Sequence, residues 1–271
     1  MIIIYGRESN WEESDLALIQ ADFYSDVLGR GAQLCAVLPD GPAPAGGFPT
    51  LFLLHGMTDD CTLWTRRTSI ERYAEDRRLA VIMPDTRLGW YANTHAGERY
   101  FDHVSDEVVR FSRRMLPGLS RSRETTFIAG QSMGGYGALR CALNRPELFS
   151  RAASLSGALD IAEIVRPEGT LGDPAYWEDT FGPAESIPGS EHDLYRAARE
   201  LTQNRPEIWM WCGKSDFLYS LNLRMRDHLR ALGYALTYTE GPGGHEWRCW
   251  DEQIQNIIDW LVPAEEVSAC R

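Results

Sequence analysis

The pentapeptide GQSMG at residues 130–134 is the feature of this sequence that most restricts its fold. It follows the apolar run 127–129 and leads into small residues that are typical of a helix packed closely on a sheet. A GxSxG motif at such a junction forms a tight turn, in which side chains two positions before and after the serine would collide. The motif alone also occurs by chance, so its setting between a strand and a helix carries the prediction. We therefore predict that Ser132 is an exposed nucleophile at the end of a strand.

Short apolar segments alternate with helical segments along most of this 271-residue chain. Apolar runs bounded by Gly, Pro and Asp predict strands at residues 17–28, 32–38, 50–54, 79–83, 125–129, 151–155, 207–212 and 235–239. Helical spacing of apolar residues predicts helices at residues 63–76, 101–116, 134–144, 219–232 and 250–261. Such alternation is typical of a parallel sheet that helices cover on both faces. We predict a single α/β domain over residues 1–271, with a doubly wound and mostly parallel sheet.

The alternation of strands and helices is interrupted at residues 161–206. This segment contains Trp177 and Phe181, several glycines and prolines, and an amphipathic stretch at residues 194–201. Ligands of α/β sheets bind outside the carboxyl ends of the strands, where an insertion can cover them. We predict that residues 161–206 form a small cap over that edge of the sheet, whereas residues 1–15 form an extra segment without an assigned role.

A serine hydroxyl becomes an effective nucleophile when a neighbouring imidazole removes its proton. In the α/β-hydrolase chain order the acid and then the histidine follow the serine, and His192, His228 and His245 lie after Ser132. His245 follows a predicted strand and the glycine-rich loop 241–244, at the carboxyl edge of the sheet. His228 lies within a predicted helix and His192 within the predicted cap, as expected of structural histidines. We predict His245 as the general base; the alternative is an ordinary loop histidine.

The acid that orients this histidine is expected just beyond an apolar strand. Asp216 follows the predicted strand 207–212 through a short Gly-Lys-Ser turn. The competing carboxylates all lie in the predicted cap: Asp173, Asp179 and Asp193. We predict Asp216 as the acid, while its alternative role is to cap the start of the helix that follows.

Acyl transfer also requires hydrogen-bond donors for the oxygen of the tetrahedral intermediate. In this fold one donor is the backbone N–H after the nucleophile, which here belongs to Met133, and the other comes from the loop after an earlier strand. The segment 53–57 supplies such a loop, and we predict the Met57 N–H as the second donor, with His55 bracing the loop.

Several aromatic residues near these motifs are candidates for the wall of an acyl or alcohol pocket. We predict that the pocket is lined by Trp64, Trp90, Tyr91, Trp177 and Phe181. The alternative is that they are core residues, which is the commoner role of tryptophan.

Motifs in the same order occur in a known family: residues 54–57, 90–91, 130–139, 155–160, 212–218 and 243–247. With them the chain resembles the tributyrin esterase branch of the esterase D family, which is similar to S-formylglutathione hydrolases and more distantly to feruloyl esterases and mycolyltransferases. The resemblance covers about residues 23–261. It implies a cofactor-free esterase for short acyl esters, with Ser132, Asp216 and His245 as the triad and Met57 and Met133 as the oxyanion donors.

The sequence departs from this family at two places. Residues 85–89 replace the Asp-Gly-containing turn expected near the pocket, and residues 1–15 precede the usual start of the family. Both departures leave the predicted triad unchanged. We expect the cap and the loop 85–91 to decide which ester is attacked.

Charge and cysteine usage restrict the partners of this chain. Its formal net charge of −12 is spread over the chain and not gathered in a run, which argues against nucleic acid and anionic membrane surfaces as partners, because these attract clustered Lys and Arg. None of the six cysteines forms a CxxC pair or a zinc-ligand pattern, so we expect thiols and no metal at Cys35, Cys61, Cys141, Cys212, Cys249 and Cys270. With no apolar run of signal-peptide or membrane-spanning length, we expect a cytoplasmic protein acting on a small-molecule ester. A homo-oligomer stays open.

These residues favour hydrolysis of short-chain carboxylic esters through an acyl-serine intermediate. Two related activities stay open: an S-formylglutathione-type thioesterase, and a carbohydrate esterase that removes acetyl or feruloyl groups. An acyltransferase or a carbon–carbon hydrolase could use the same nucleophile. The alternative from another class is a non-catalytic binding protein built on a hydrolase fold.

Overall fold

The computed structural model describes residues 16–166 and 173–263 and has a central sheet. The strands in these ranges are β1 (Leu16–Ser25), β2 (Arg30–Pro39), β3 (Thr50–Leu54), β4 (Ala80–Pro84), β5 (Thr126–Gln131), β6 (Arg151–Leu155), β7 (Glu207–Gly213) and β8 (Leu236–Gly241). They form one sheet of order β1-β2-β4-β3-β5-β6-β7-β8. Strand β2 runs antiparallel to both of its neighbours, β1 and β4, and the neighbouring strands from β3 to β8 pair in parallel. The prediction of a mostly parallel α/β sheet is confirmed.

Helices cover both faces of this sheet. Those described are α1 (Leu63–Arg67), α2 (Ile70–Glu75), α3 (Tyr100–Asp102), α4 (Val109–Met115), α5 (Met133–Asn144), α6 (Ile161–Ile164), α7 (Pro174–Phe181), α8 (Leu194–Glu200), α9 (Tyr219–Ala231) and α10 (Trp247–Leu261). Buried residues of α1, α2 and α10 form one core, and those of α4, α5, α8 and α9 form the other. The sheet is therefore wound on both sides.

Strand β3 shows why the apolar runs become central strands. All its residues are buried. Phe52 and Leu54 join one core, whereas Leu51 and Leu53 join the other, because successive side chains of a strand point to opposite faces. A strand buried on both faces needs apolar residues at every position, which is the pattern found in the sequence.

The predicted helix 63–76 is divided by an extended residue. Thr68 has φ −136° and ψ 172°, so α1 ends there and α2 begins at Ile70. The Thr68 hydroxyl accepts a hydrogen bond from the Ile70 N–H at 3.2 Å, and Asp251 accepts one from the Ser69 N–H at 3.1 Å. The break depends on the Asp251 carboxylate of α10, so the spacing of apolar residues within 63–76 could not predict it.

The predicted helix 101–116 contains a π-helical turn between α3 and α4, at His103–Val108. The turn brings Glu107 under the β1–β2 hairpin, where its Oε1 accepts the N–H groups of Asp26 and Val27 at 2.7 and 3.2 Å. The Ser25 hydroxyl donates to the same carboxylate. Because the chain turns there, β1 ends at Ser25 and not at residue 28 as predicted.

The predicted cap, residues 161–206, contains α6, α7 and α8 in its described part, and residues 167–172 lie outside the described residues. Trp177 and Phe181 of α7 are buried, each with 3% of its surface exposed. The N-terminal segment 1–15 and Cys270 also lie outside the described ranges. The cysteines described are free and buried: Cys35, Cys61, Cys141, Cys212 and Cys249. Across residues 16–166 and 173–263, no helix is both long enough and apolar enough to span a membrane.

Candidate active site

Ser132 lies in a strained turn between β5 and α5. Its φ of 55° and ψ of −119° are unusual for a residue with a side chain. A Cβ atom on Gly130 would lie 2.4 Å from the carbonyl carbon of Gly134, and a Cβ on Gly134 would lie 2.4 Å from the Leu54 oxygen. Both glycines of the motif are therefore required by close backbone approach.

Backbone hydrogen bonds hold the strained serine in place. The Ser132 N–H donates to the Leu155 oxygen at 2.9 Å. Its carbonyl accepts from the N–H groups of Tyr136 and Ala158 at 3.2 and 3.1 Å. The surrounding backbone thus fixes the direction in which the Ser132 hydroxyl points.

The structure brings Ser132, His245 and Asp216 into one hydrogen-bonded row. His245 Nε2 lies 2.9 Å from Ser132 Oγ, and His245 Nδ1 lies 2.9 Å from Asp216 Oδ2. The three residues follow the carboxyl ends of β5, β8 and β7, which meet at the same edge of the parallel sheet. This row has the donor and acceptor order of a nucleophile, a base and an orienting acid.

The Asp216 carboxylate is held in its charged form. Its side chain is fully buried, and burial works to raise its pKa. Hydrogen bonds from His245 and from the Leu218 N–H, which lies 2.8 Å from Oδ1, outweigh that effect together with the charge of His245. The pKa of Asp216 is therefore below its ordinary value, as an acid that stabilises an imidazolium requires.

Two aromatic rings hold the His245 imidazole from its sides. The Phe217 ring lies 4.7 Å from it, and the Trp250 ring meets it at 4.9 Å in an edge contact. Trp250 Nε1 donates to Ser156 Oγ at 3.2 Å, which fixes the indole. Sequence reasoning did not assign either ring to the site. Their closeness in sequence to Asp216 and His245 was the available signal.

Of the two predicted oxyanion donors, Met57 precedes Ser132 in the sequence and Met133 directly follows it. Met133 is the first residue of α5, where backbone N–H groups have no helical partner and the helix dipole favours negative charge. Met57 follows β3 and lines the same cavity as Ser132. Their roles as donors stay a prediction.

His55 fixes the segment that leads to Met57. Its ring is buried; Nδ1 lies 2.8 Å from the Gly56 oxygen, and Nε2 accepts from the Thr86 N–H at 3.1 Å. Because a carbonyl can only accept, the proton belongs on Nδ1, which leaves Nε2 free to accept. The Tyr91 hydroxyl donates to the His55 carbonyl at 2.8 Å. These contacts occupy the ring in a bracing role.

A cavity of about 860 Å³ opens beside Ser132 and His245. Its apolar wall includes Met57, Trp90, Ala158, Ile164, Trp177, Phe217, Leu218 and Leu221. Its polar side includes Thr58, Glu163, Ser220 and Arg224, none of which was predicted from the sequence. Arg224 Nη2 lies 3.3 Å from Asp160 Oδ2 and 3.7 Å from Glu163 Oε2, so this side carries charges of both signs. Of the predicted pocket aromatics, Trp90 and Trp177 line the cavity.

The prediction that Trp64 lines the pocket is wrong. Its side chain is fully buried in the core on the other face of the sheet, among residues of α1, α2 and α10. Its Nε1 donates to the Leu54 oxygen at 3.1 Å, and its ring meets the Trp247 ring edge-on at 5.1 Å. Closeness in sequence to Met57 did not reveal on which face α1 would pack.

Tyr91 and Phe181 also do not line the cavity. Tyr91 is fully buried and bonds to His55, as described above. The Phe181 ring lies 5.6 Å from Trp90 and 6.1 Å from Trp177, so it packs behind the wall that these two rings form. The prediction is wrong for both residues; Phe181 supports the wall from its outer side, and Tyr91 bonds to the segment that leads to Met57.

This chain is similar to known proteins over most of its length. The Esterase family model matches residues 25–261. An acetyl esterase of Caldicellulosiruptor saccharolyticus is 33% identical over 262 residues, which are 91% of this chain and 98% of that protein. The substrate-bound Staphylococcus aureus fluorophosphonate-binding serine hydrolase F has a TM-score of 0.82 and 33% identity, covering 92% of this chain and 99% of its own.

A second Staphylococcus aureus structure, the S-formylglutathione hydrolase FrmB, also has a TM-score of 0.82. It is 35% identical and covers 91% of this chain and 99% of its own. The esterase resemblance inferred from the motifs is thereby confirmed. The chain belongs to the Esterase family and is a carboxylic ester hydrolase with the α/β-hydrolase fold.

Proposed function

We propose that this enzyme hydrolyses short-chain acyl esters, with Ser132 as nucleophile, His245 as general base and Asp216 as the orienting acid. The observation that carries the proposal is the unbroken row of contacts, 2.9 Å from Ser132 to His245 and 2.9 Å from His245 to Asp216. Both distances are within hydrogen-bond reach, and the first allows direct proton transfer from Ser132 to His245.

The first half of the reaction acylates the serine. His245 Nε2 takes the proton of Ser132 Oγ while Oγ attacks the carbonyl carbon of the ester. The N–H groups of Met57 and Met133 stabilise the oxyanion that forms. His245 then gives its proton to the leaving alcohol as the carbon–oxygen bond breaks. An acyl-serine and a free alcohol result.

The second half releases the acid. His245 takes a proton from water as the water oxygen attacks the acyl carbon, and the proton then returns to Ser132 Oγ as the ester bond to the serine breaks. Throughout, the charged Asp216 keeps the His245 proton on Nδ1 and stabilises the imidazolium.

A rigid wall favours short acyl groups. Trp90 Nε1 donates to the Tyr176 hydroxyl at 2.7 Å, and that hydroxyl donates to the Leu88 oxygen at 2.9 Å. This row of bonds ties α7 to the loop 85–91 and fixes the Trp90 indole, whose ring lies 5.2 Å from Trp177. A wall held in this way cannot retreat easily from a long acyl chain.

A fluorophosphonate probe tests the assignment, because it adds irreversibly to an activated serine. We expect the mass increase on the peptide that contains Ser132 and none in Ser132→Ala. In parallel, nitrophenyl acetate and butyrate should be hydrolysed faster than the octanoate. Absence of labelling in the folded enzyme, or full esterase activity in Ser132→Ala, would contradict the proposal.

A second candidate is thioester hydrolysis of the S-formylglutathione type. The charged side of the cavity favours it, because Arg224 could pair with a carboxylate of a charged thiol leaving group. The FrmB relative is named for this activity. Comparing kcat/KM for S-formylglutathione with kcat/KM for nitrophenyl acetate, and for acetylated and feruloylated sugars, decides which of these substrates the enzyme prefers.

We also propose that the enzyme works in the cytoplasm on dissolved small-molecule esters and not on nucleic acid. The excess of 39 acidic over 27 basic residues supports the exclusion of nucleic acid. Fractionation of cells that carry the tagged enzyme tests the location. Recovery in the membrane pellet or outside the cell would contradict it.

A further inference from the structure

A hydrogen bond connects the residue before the nucleophile with the turn at residues 56–59. Gln131, the last residue of β5, donates from Nε2 to Asp59 Oδ2 at 2.8 Å. Gln131 is buried, with 1% of its surface exposed. Neither residue is among those that line the cavity, whereas Met57 and Thr58, which precede Asp59, are.

The turn at residues 56–59 is held at both ends. The Asp59 N–H donates to the Gly56 oxygen at 3.2 Å, and Thr58 has a positive φ of 69°. A Cβ atom on Gly56 would lie 2.3 Å from Gln131 Nε2. The Gln131 side chain thus fills the space behind Gly56 and also binds Asp59, so Met57 lies between two points that the same side chain contacts.

The chemistry of the two groups fixes the direction of this bond. A carboxylate only accepts, so the Gln131 amide must present its NH₂ to Asp59. Burial raises the pKa of Asp59, and the hydrogen bond from Gln131 opposes this. Removing the Gln131 donor would leave the carboxylate partly buried with one partner fewer, which favours movement of the turn toward water.

We propose that the Gln131–Asp59 pair positions the 56–59 turn, and with it the Met57 N–H, relative to Ser132. This inference rests on the proposed function, because it assigns the support of a donor in the same site. Oxyanion donors act only when their N–H groups lie within hydrogen-bond distance of the developing charge. Gln131 and Asp59 are therefore positioning residues that act without touching the substrate.

The test compares Gln131→Leu and Asp59→Ala with the parent enzyme. We expect kcat for nitrophenyl acetate to fall by about tenfold to a hundredfold, which is no more than the fall in kcat caused by removing one oxyanion donor. KM should change by less than about threefold. The affinity for a boronic acid, whose serine adduct carries a tetrahedral anion, should fall in parallel with kcat. When Gln131→Leu or Asp59→Ala is combined with Ser132→Ala, the affinity for the substrate should equal that of Ser132→Ala alone.

A remote pair offers a matched control. Gln33 Nε2 donates to Asp22 Oδ1 at 2.6 Å between β1 and β2, so Gln33→Leu removes the same kind of bond away from Ser132. That variant should keep kcat. The exchanged pair Asp59→Asn/Gln131→Glu rebuilds the bond in the opposite direction and should recover most of the kcat that Gln131→Glu alone loses. This isosteric pair also serves if Gln131→Leu fails to fold.

The outcomes separate this inference from the proposed function. If fluorophosphonate does not label Ser132 in the parent enzyme, the proposed function fails. If labelling succeeds while Asp59→Ala and the folded Gln131 variant keep kcat, only the positioning role is overturned. A fall in kcat without a parallel loss of boronic acid affinity would overturn it as well.

Discussion

His245 Nε2 lies 2.9 Å from Ser132 Oγ although 113 positions separate the two residues in sequence. The contact exists because β5 and β8 end at the same edge of the sheet, with β6 and β7 between them.

Replacing the base should abolish nearly all turnover. We expect His245→Gln to lower kcat by a factor on the order of 10⁵, because the serine loses its proton acceptor. His228→Gln is the matched control. His228, on α9, has its Nε2 3.0 Å from the backbone oxygen of Tyr195 and does not line the cavity. Steady-state rates on nitrophenyl acetate measure both. Comparable losses in the two variants would remove His245 from its assigned role.

Two buried tryptophans should respond differently to the same substitution. Trp90→Ala enlarges the cavity, and we expect the octanoate-to-acetate ratio of kcat/KM to rise by about tenfold or more. Trp64→Ala, on the other face of the sheet, should leave this ratio unchanged. Both changes should lower the free energy of unfolding by roughly 3–5 kcal/mol, because each creates a large cavity in a core. A changed octanoate-to-acetate ratio in Trp64→Ala would contradict the placement of Trp64 on the other face of the sheet.

The buried His192 should make the fold sensitive to acid. Burial, together with the nearby charge of Arg140, lowers the pKa of His192 to about 3, so the folded protein keeps this ring neutral. The unfolded chain binds a proton near the ordinary histidine pKa of about 6.5, so stability is lost as the pH falls below that value. Between pH 7 and pH 5 we expect His192 to cost about 2 kcal/mol of unfolding free energy.

Urea unfolding of the parent and of His192→Gln at the two pH values measures this cost. The glutamine can still accept from Arg140, whose Nη1 lies 3.2 Å from His192 Nδ1, without binding a proton. The variant should therefore lose about 2 kcal/mol less than the parent on acidification. Equal losses in both proteins would show that His192 does not cause the acid sensitivity.

Cys35 and Cys61 should form a disulfide under mild oxidation. Their sulfur atoms are 3.5 Å apart, and hydrogen bonding between them lowers the pKa of Cys35 and raises that of Cys61. Diamide would take two hydrogen atoms from the two thiols and become a hydrazine. Cys61 follows the 56–59 turn closely, so we expect kcat to fall by about tenfold, since a displacement near 1 Å can cost up to about a hundredfold.

Peptide mapping without reductant and activity before and after dithiothreitol measure this effect. Cys35→Ser should be insensitive to diamide, which separates the pair from the other thiols. A 35–61 crosslink with unchanged kcat would contradict the coupling between this pair and the turn.

Local patterns were enough to predict the elements that rest on short-range rules. The GxSxG turn requires glycine at Gly130 because of a contact with Gly134 within the motif, and apolar runs predict buried strands. The order serine, acid, histidine then located three residues that the structure brings into contact. The break at Thr68 and the π-helical turn at His103–Val108 escaped prediction because their hydrogen-bond partners lie far away in the chain.

The sequence alone therefore determined the type of fold and the residues with the chemistry for acyl transfer, because periodicity and turn geometry are properties of neighbouring residues. The sheet and its two helical layers decided which aromatic rings reach the cavity: Trp90 lines it, and Trp64 lies on the opposite face. The tertiary structure also decided the bond between Gln131 and Asp59, two residues that are 72 positions apart in sequence. Contacts of this kind depend on how the layers pack, which no local pattern specifies.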